Sequence, residues 1–146
     1  MKNQKGQALV EFAIILPLLF LLIFGIFEFG RAMFIKNSLN NAARSAVRVA
    51  VVTPTLADIT YSAGAFTNPP DGTDKIKAKI YDILLYIKKD TATATVNVVE
   101  HPNALPSDTV TVTVTGDFVS IVSTITNKLQ ISITDKLSGE ASMRYE

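Results

Sequence analysis

The sequence contains no cysteine and no tryptophan, and histidine occurs only once. Without cysteine there are no disulfides, no thiolate metal sites and no cysteine nucleophile, while the redox compartment is left open. The formal net charge is only +1, so no bulk electrostatic field favours a nucleic acid as a partner. Several classes of function are thereby excluded before any motif is considered.

Catalytic motifs are also scarce. The single histidine, His101, lies in a predicted loop between two strands, and one histidine without clustered carboxylates makes a poor metal site. There is no glycine-rich phosphate loop, and the aspartates lack the spacing of a calcium-binding loop. We therefore expect a protein that is not an enzyme and that uses no metal or other cofactor.

One long apolar run dominates the N-terminal third of the chain. Residues 8–29 read ALVEFAIILPLLFLLIFGIFEF, and only Glu11 and Glu28 are charged. As a helix this run is about 33 Å long, close to the ~30 Å hydrocarbon core of a bilayer, and it has no polar face. The rest of the chain is too small to enclose such a helix, so we predict one transmembrane helix at about residues 8–30.

A cleaved secretory signal peptide is the main alternative for this run. Lys2 and Lys5 provide the basic start that such peptides have. The apolar run is longer than the usual stretch of about 7–15 residues, and no small-residue cleavage site follows it. We therefore expect the run to remain in the protein.

The helical pattern continues beyond the apolar run. Apolar residues recur at steps of three and four along one face, namely Ile35, Leu39, Ala42, Ala46 and Val49. Four small residues in this part would let a partner approach closely: Ala42, Ala43, Ala46 and Ala50. One helix is thus predicted over residues 7–52, kinked or loosened at Pro17 and ended by Thr53-Pro54.

Residues 53–146 are predicted to form a small α+β domain. A connector over residues 54–72 ends in the turn cluster NPPDG, and a second helix follows, capped by Thr73 or Asp71 with Asp74 in its first turn. Its apolar stripe consists of Ile76, Ile80, Ile83 and Ile87. The outward-facing lysines of this helix (Lys75, Lys77 and Lys79) form either a solvated face or a contact for lipid headgroups.

The remainder alternates between apolar and polar residues, as half-buried strands do. The clearest segments are residues 92–98, 109–115 and 137–145, and Leu129–Thr134 is a candidate for a separate strand, whereas residues 117–128 are not placed by the pattern. The predicted fold class is α+β: a long membrane-spanning helix, then a small globular domain with one further helix and a 3–4-stranded antiparallel sheet.

The two carboxylates in the apolar run need an explanation, because a charge in lipid is costly unless it is paired or reaches the interface. Glu28 can reach the interface and pair with Arg31 at i+3. Glu11 lies one turn inside the start of the run and has no basic neighbour on its C-terminal side.

Two stretches of the helix carry a family resemblance. Residues 5–12, KGQALVEF, resemble the processing site of type IV prepilins, most closely the Flp/Tad subclass, in which glycine is followed by four residues and then by glutamate and an aromatic. Residues 24–31 and 41–48, FGIFEFGR and NAARSAVR, resemble the TadE family of pilin-like proteins, and the ending MRYE is similar to the ending of that family.

The resemblance implies specific roles for these residues. A prepilin peptidase would cleave between Gly6 and Gln7 and remove residues 1–6 as a leader. Glu11, followed by Phe12, would then be the fifth residue of the mature chain and could pair with the Gln7 amine of a neighbouring subunit. The family-motif residues further along the helix are Glu28, Gly30, Arg31, Ala42, Ala43 and Arg44.

The implied role is a minor pilin or pseudopilin of a Tad/Flp-type pilus assembly or secretion apparatus. Its partners would be the peptidase, other pilin-like subunits, the assembly platform and the lipid bilayer. The implied location is the bacterial inner membrane or a surface pilus, with the N-terminus cytoplasmic and the domain extracytoplasmic, although a Lys/Arg count alone gives the opposite orientation. The alternative is an uncleaved single-pass membrane adaptor whose polar domain recruits a partner.

Overall fold

The structure, a computed structural model, describes residues 4–52, 58–84, 91–99, 109–119 and 134–144. In chain order its elements are helix α1 (Gln4–Val51), strand β1 (Ile59–Tyr61), helix α2 (Lys75–Ile83), and strands β2 (Thr93–Val99), β3 (Thr109–Val119) and β4 (Thr134–Arg144). The chain forms two compact units, Met1–Met33 and Phe34–Glu146, and α1 contributes residues to both. The predicted α+β class is confirmed.

The first unit contains the apolar part of α1. Large apolar side chains are exposed on all sides of the helix, from Leu9 at 69% to Phe29 at 68%, and none of its most apolar stretch is buried. A helix of this length and composition meets the requirements of a membrane span. Pro17 lies inside α1, and the helix continues without interruption through it.

The second unit is built on a four-stranded antiparallel sheet in which strands adjacent in sequence are adjacent in space. The register places Val112 of β3 between Val96 of β2 and Ala141 of β4. Because side chains alternate along a strand, these residues share one face of the sheet, and polar residues such as Thr95 and Thr113 share the other. The predicted antiparallel sheet is confirmed, with β1 as its fourth strand.

The second part of α1 belongs to the core of this unit. Its fully buried residues recur at helical spacing, and four of the five are alanines: Leu39, Ala42, Ala43, Ala46 and Ala50. They form one cluster with Ile76 and Ile80 of α2 and with the inward-facing valines of the sheet. The small side chains predicted to admit a close partner are thus packed within the chain's own domain.

The closest approach between α1 and the sheet is at Gly139 on β4. A Cβ atom built on this glycine would lie 2.5 Å from the carbonyl oxygen of Leu39, and closer still to the carbonyl carbon of Leu39 and the backbone nitrogen of Asn40. Nearby, Lys36 donates from Nζ to the carbonyl oxygen of Ser138. Backbone contact and this hydrogen bond together fix α1 against β4.

The strand boundaries differ from the sequence prediction in two places. β1 lies within the segment predicted as a connector, because three residues are too few for an alternating pattern to be visible. β3 continues to Val119 and β4 includes Thr134, since pairing between the two strands extends each of them beyond its own alternating pattern.

The predicted cap of α2 is wrong. The N-cap residue is Asp74, rather than Thr73 or Asp71, because the helix begins at Lys75 and the Asp74 carboxylate reaches the Lys77 N–H at 2.9 Å. Asp71 instead accepts from the hydroxyl and the N–H of Thr73 within the preceding turn.

Some sequence predictions fall outside the described residues. These are the helix-ending Thr53-Pro54, Ile87 of the α2 stripe, the loop around His101, residues 120–128 and most of Leu129–Thr134, and residues 1–3 of the leader.

Gly139→Ala should destabilise the second unit by about 1–3 kcal/mol, because the added methyl group overlaps backbone atoms that cannot rotate away. Thermal denaturation of the full-length protein in detergent measures the effect. Ser138→Ala is the matched control, since the Ser138 side chain is exposed and the backbone carbonyl that accepts from Lys36 is retained. Equal stability of the two variants would contradict the close approach.

Candidate assembly and processing site

The predicted cleavage residues lie in the first turns of α1. Gly6 is helical, and a Cβ atom built on it would meet nothing within 4 Å. Packing within the chain therefore does not require glycine at this position. A requirement for glycine here would come from a molecule that binds this turn.

Glu11 lies one helical turn after Gln7. Gln7 donates from Nε2 to Oε1 of Glu11 at 3.4 Å, and both side chains are exposed. Phe12, the aromatic residue of the motif, is 60% exposed. Because an amide carries no charge, the contact with Gln7 directs the carboxylate towards the start of the helix without neutralising it.

The predicted pair of Glu28 and Arg31 is present. Oε1 of Glu28 lies 3.4 Å from Nη2 of Arg31, and the Glu28 side chain is only 14% exposed. Opposite charges one turn apart compensate each other, which lowers the cost of a carboxylate at the end of an apolar run. Gly30, between them, has open space around its Cα, like Gly6.

The family-motif residues of the second unit have two different surroundings. Ala42 and Ala43 are fully buried in the core, whereas Arg44 is exposed. The two alanines therefore serve the packing of α1 within its own domain. Arg44 is the motif residue of this unit that faces outward.

A polar contact that the sequence pattern missed joins β1 to α2. The Tyr61 hydroxyl donates to Oδ2 of Asp74 at 2.7 Å, while Oδ1 of the same carboxylate caps α2. The centroid of the Tyr61 ring lies 5.7 Å from the ring centroid of the fully buried Phe66. Burial, and then the hydrogen bond to Asp74 and its negative charge, raise the pKa of Tyr61 far above the ordinary value for a phenol. The sequence carries no local signal for this contact, because its partners lie thirteen residues apart.

Sequence analysis also missed a groove of about 310 Å³ between α1 and β4. Arg44 and Arg48 line it from the helix, and Glu140 and Ser142 line it from the strand. No sequence signal marks it, because its two sides are almost a hundred residues apart along the chain.

Among the described residues, α1 is the one helix long and apolar enough to cross a membrane, which places the chain in the class of proteins anchored by an N-terminal span. Within this class, residues 6–48 match the family model described as TadE-like protein, which confirms the resemblance over a segment that includes Gly6, Glu11 and Arg44. No curated protein and no solved structure matches the chain. The matched segment covers less than a third of the chain and lies entirely within α1.

The hydrogen bond between Tyr61 and Asp74 predicts a pH-dependent stability. Above about pH 10 an unfolded tyrosine loses its proton, whereas folded Tyr61 keeps it because its pKa is raised. The stability that the protonated Tyr61 contributes to the folded state is therefore fully present at neutral pH and decreases as the pH rises above about 10. Tyr61→Phe should cost about 1–3 kcal/mol at neutral pH, since it removes a hydrogen bond to a charged group.

Urea denaturation of the full-length protein and the variant in detergent, between about pH 8 and pH 11, measures both effects. The stability difference between the two proteins should shrink at the alkaline end, and a difference independent of pH would contradict the role of the Tyr61 proton. The other tyrosines are the same in both proteins and cancel from the comparison.

Proposed function

We propose that the chain is a minor pilin or pseudopilin of a Tad/Flp-type pilus assembly or secretion apparatus. One observation carries the proposal: α1 exposes large apolar side chains on all sides in the first unit, while its continuation supplies the core of the second. The first part therefore needs a lipid or protein environment that the chain itself does not supply. The processing motif and the TadE-like match support a use of this helix in assembly.

The bilayer would hold the helix before assembly. Each large apolar side chain removed from water contributes about 1.5–3 kcal/mol, and more than a dozen such side chains are exposed between Leu9 and Phe34. Lipid tails and apolar side chains are similar solvents for this surface. Moving the helix from lipid into a bundle of subunit helices therefore exchanges one apolar environment for another.

Processing would occur at the peptide bond between Gly6 and Gln7. The bond lies near the N-terminal end of α1, where the first turn has the fewest intrahelical hydrogen bonds and frays most easily. A peptidase with a narrow subsite would accept Gly6 and reject a side chain there. Residues 1–6 would leave as the leader, and Gln7 would gain a positively charged amine.

Glu11 would then supply the charge that matches this amine. Its carboxylate is already directed towards the start of the helix by the contact with Gln7. Pairing with the Gln7 amine of a neighbouring subunit would offset the cost of burying both charges and would set the register between the two helices.

The proposed orientation places the leader in the cytoplasm, where the peptidase cuts it, and residues 53–146 outside the bacterial inner membrane or in a surface pilus. The internal pair of Glu28 and Arg31 would lie near the outer interface of the membrane. The partners would be the peptidase, other pilin-like subunits and the assembly platform. The role is structural rather than enzymatic.

Gly6→Ala and Gly6→Leu should block cleavage without disturbing the fold, because nothing lies within 4 Å of the added Cβ. Mass spectrometry of the membrane fraction should find an N-terminus at Gln7 in the wild type and an intact leader in both variants. Gly30→Ala, whose Cβ also meets nothing within 4 Å, is the matched control and should be processed normally. An intact leader on the wild type, in cells with an active peptidase, would contradict the proposal and favour the uncleaved membrane adaptor.

Glu11→Ala should permit cleavage but prevent incorporation. Removing one partner of a buried charge pair costs about 3–5 kcal/mol in the assembled state, because the remaining amine is buried without compensation. The readouts are the mature N-terminus and the amount of protein in sheared fibres. Asp82→Ala, at an exposed position on α2, is the control. Normal amounts of the Glu11 variant in the fibres would count against the pairing role.

A further inference from the structure

The groove between α1 and β4, lined by Arg44, Val47, Arg48 and residues 140–143, lies beside an open edge of the sheet. Among the described strands, β4 pairs only with β3, so its other edge can accept a further strand. We propose that this edge and the groove together bind an extended, acidic segment of another polypeptide, which adds to the sheet as a strand. The proposal goes beyond the assembly role above and does not rest on it, because the groove lies wholly within the second unit.

The contact of Lys36 shows which backbone groups of β4 are directed outward. Its Nζ donates to the Ser138 carbonyl, which places that carbonyl at the edge away from β3. Backbone groups alternate in direction along a strand, so Glu140, Ser142 and Arg144 present their N–H and C=O groups at the same edge. Among the described residues, only the group at Ser138 has a partner at this edge. An added strand can therefore pair with β4 over residues 140–144.

Every second side chain of the added strand would enter the groove. Gly139, Ala141 and Met143 share one face of β4, and α1 packs directly on Gly139. Side chains of the added strand on this face would lie beside Ala141 and Met143 and close to Val47, which lines the groove from α1. Met143 is 42% exposed, so a strand at this edge would also cover apolar surface.

Charge selects an acidic strand. Arg44 and Arg48 lie one turn apart on α1, both are exposed, and neither has an ion-pair partner among the described residues. Glu140 also lines the groove, but it lies opposite Thr113, so its side chain belongs to the polar face of the sheet, away from α1. Carboxylates of an added strand would compensate the two guanidinium groups on the side of the sheet that α1 covers. Arg44, the outward-facing motif residue of this unit, thereby gains a role that packing does not give it.

Antiparallel pairing, as in the rest of the sheet, fixes which residues of the added strand do what. Directly opposite residues of antiparallel strands share a face, and every second pair exchanges both backbone hydrogen bonds. Residues opposite Glu140 and Ser142 would form these bonds and direct their side chains to the polar face. Their neighbours would place side chains beside Arg44 and Arg48. The preferred segment therefore alternates, with acidic residues at every second position and small polar residues between them.

Fluorescence anisotropy with a synthetic peptide tests the site on the full-length protein in a neutral detergent. The probe is a labelled peptide with capped ends in which threonine and glutamate alternate. A counterpart with lysine in place of glutamate should bind about tenfold more weakly, because like charges then meet in the groove. Arg44→Glu/Arg48→Glu should reverse that preference. The matched control is Lys75→Glu/Lys79→Glu, which reverses the same number of charges at exposed positions of α2 and should leave the preference unchanged.

Methylation of the peptide backbone separates strand addition from a general attraction between opposite charges. Methyl groups on the threonine nitrogens remove the donors that would face β4, so this peptide should bind about tenfold more weakly than the probe. Methyl groups on the glutamate nitrogens lie on the side away from β4 and should weaken binding much less. Both methylated peptides keep the charge of the probe, so only the pairing of backbones distinguishes them.

Equal binding of the glutamate and lysine peptides, or of the two methylated peptides, would overturn the proposal. It would also be overturned if dihexanoyl phosphatidylglycerol, a soluble anionic lipid, displaced the probe as well as the unlabelled peptide does, because the groove would then bind any anion. A dimer of the protein alone that Arg44→Glu/Arg48→Glu dissociates would make a second copy the occupant and overturn it too. None of these outcomes depends on cleavage at Gln7, so the groove and the pilin role can fail separately.

Discussion

The apolar surface of α1 extends from Leu9 to Ala50, but the chain's own sheet covers it only in the second unit. Side-chain size follows this division. Leucine, isoleucine and phenylalanine predominate where the helix is exposed, and alanine predominates where it is buried against other elements of its own domain. Large side chains suit a fluid surrounding such as lipid, whereas alanines allow other elements of the domain to pack closely on the helix. One helix is thus both the core element of a folded domain and an apolar surface that needs a second molecule.

The charged residues of the first unit fit this division of roles. Glu28 has Arg31 one turn away and is largely covered, so its charge is compensated within the chain. Among the described residues, Glu11 has the neutral amide of Gln7 as its neighbour on the helix, and its side chain remains exposed. A carboxylate compensated by its own chain suits permanent residence at a membrane interface. A carboxylate without such compensation suits a partner that arrives with the opposite charge, which is the function we propose for the Gln7 amine of another subunit.

Much of the fold could be predicted from local pattern. The long helix follows from composition and period, and β2 and β3 follow from the alternation of threonine and valine. β1 was not predictable because its pairing with β2, rather than its own three residues, makes it a strand. The cap of α2 was predicted at Thr73 or Asp71, one and three residues before the observed N-cap Asp74. The Asp74 carboxylate accepts from both the Lys77 N–H and the Tyr61 hydroxyl, and Tyr61 lies thirteen residues away along the chain.

The candidate site likewise has one part that the sequence predicts and one part that it does not. The cleavage motif can be identified from the sequence because a peptidase would recognise a short continuous segment, so Gly6, Gln7 and Glu11 lie close together along the chain. The close contact at Gly139 and the groove beside β4 cannot be identified from the sequence, because they arise where α1 meets a strand almost a hundred residues later. A motif within one continuous segment can therefore be predicted from the sequence, whereas surfaces formed by distant segments become visible only in the folded domain.

The central claim is that this helix leaves the membrane to become part of a fibre. Quantitative mass spectrometry of sheared surface fibres, with peptides from residues 34–146 compared between the fibre and membrane fractions, tests it most directly. We expect these peptides in the fibres of cells that assemble pili, and only in the membrane when the prepilin peptidase is absent. Fibres that lack these peptides, in cells whose membranes contain the protein, would contradict the claim.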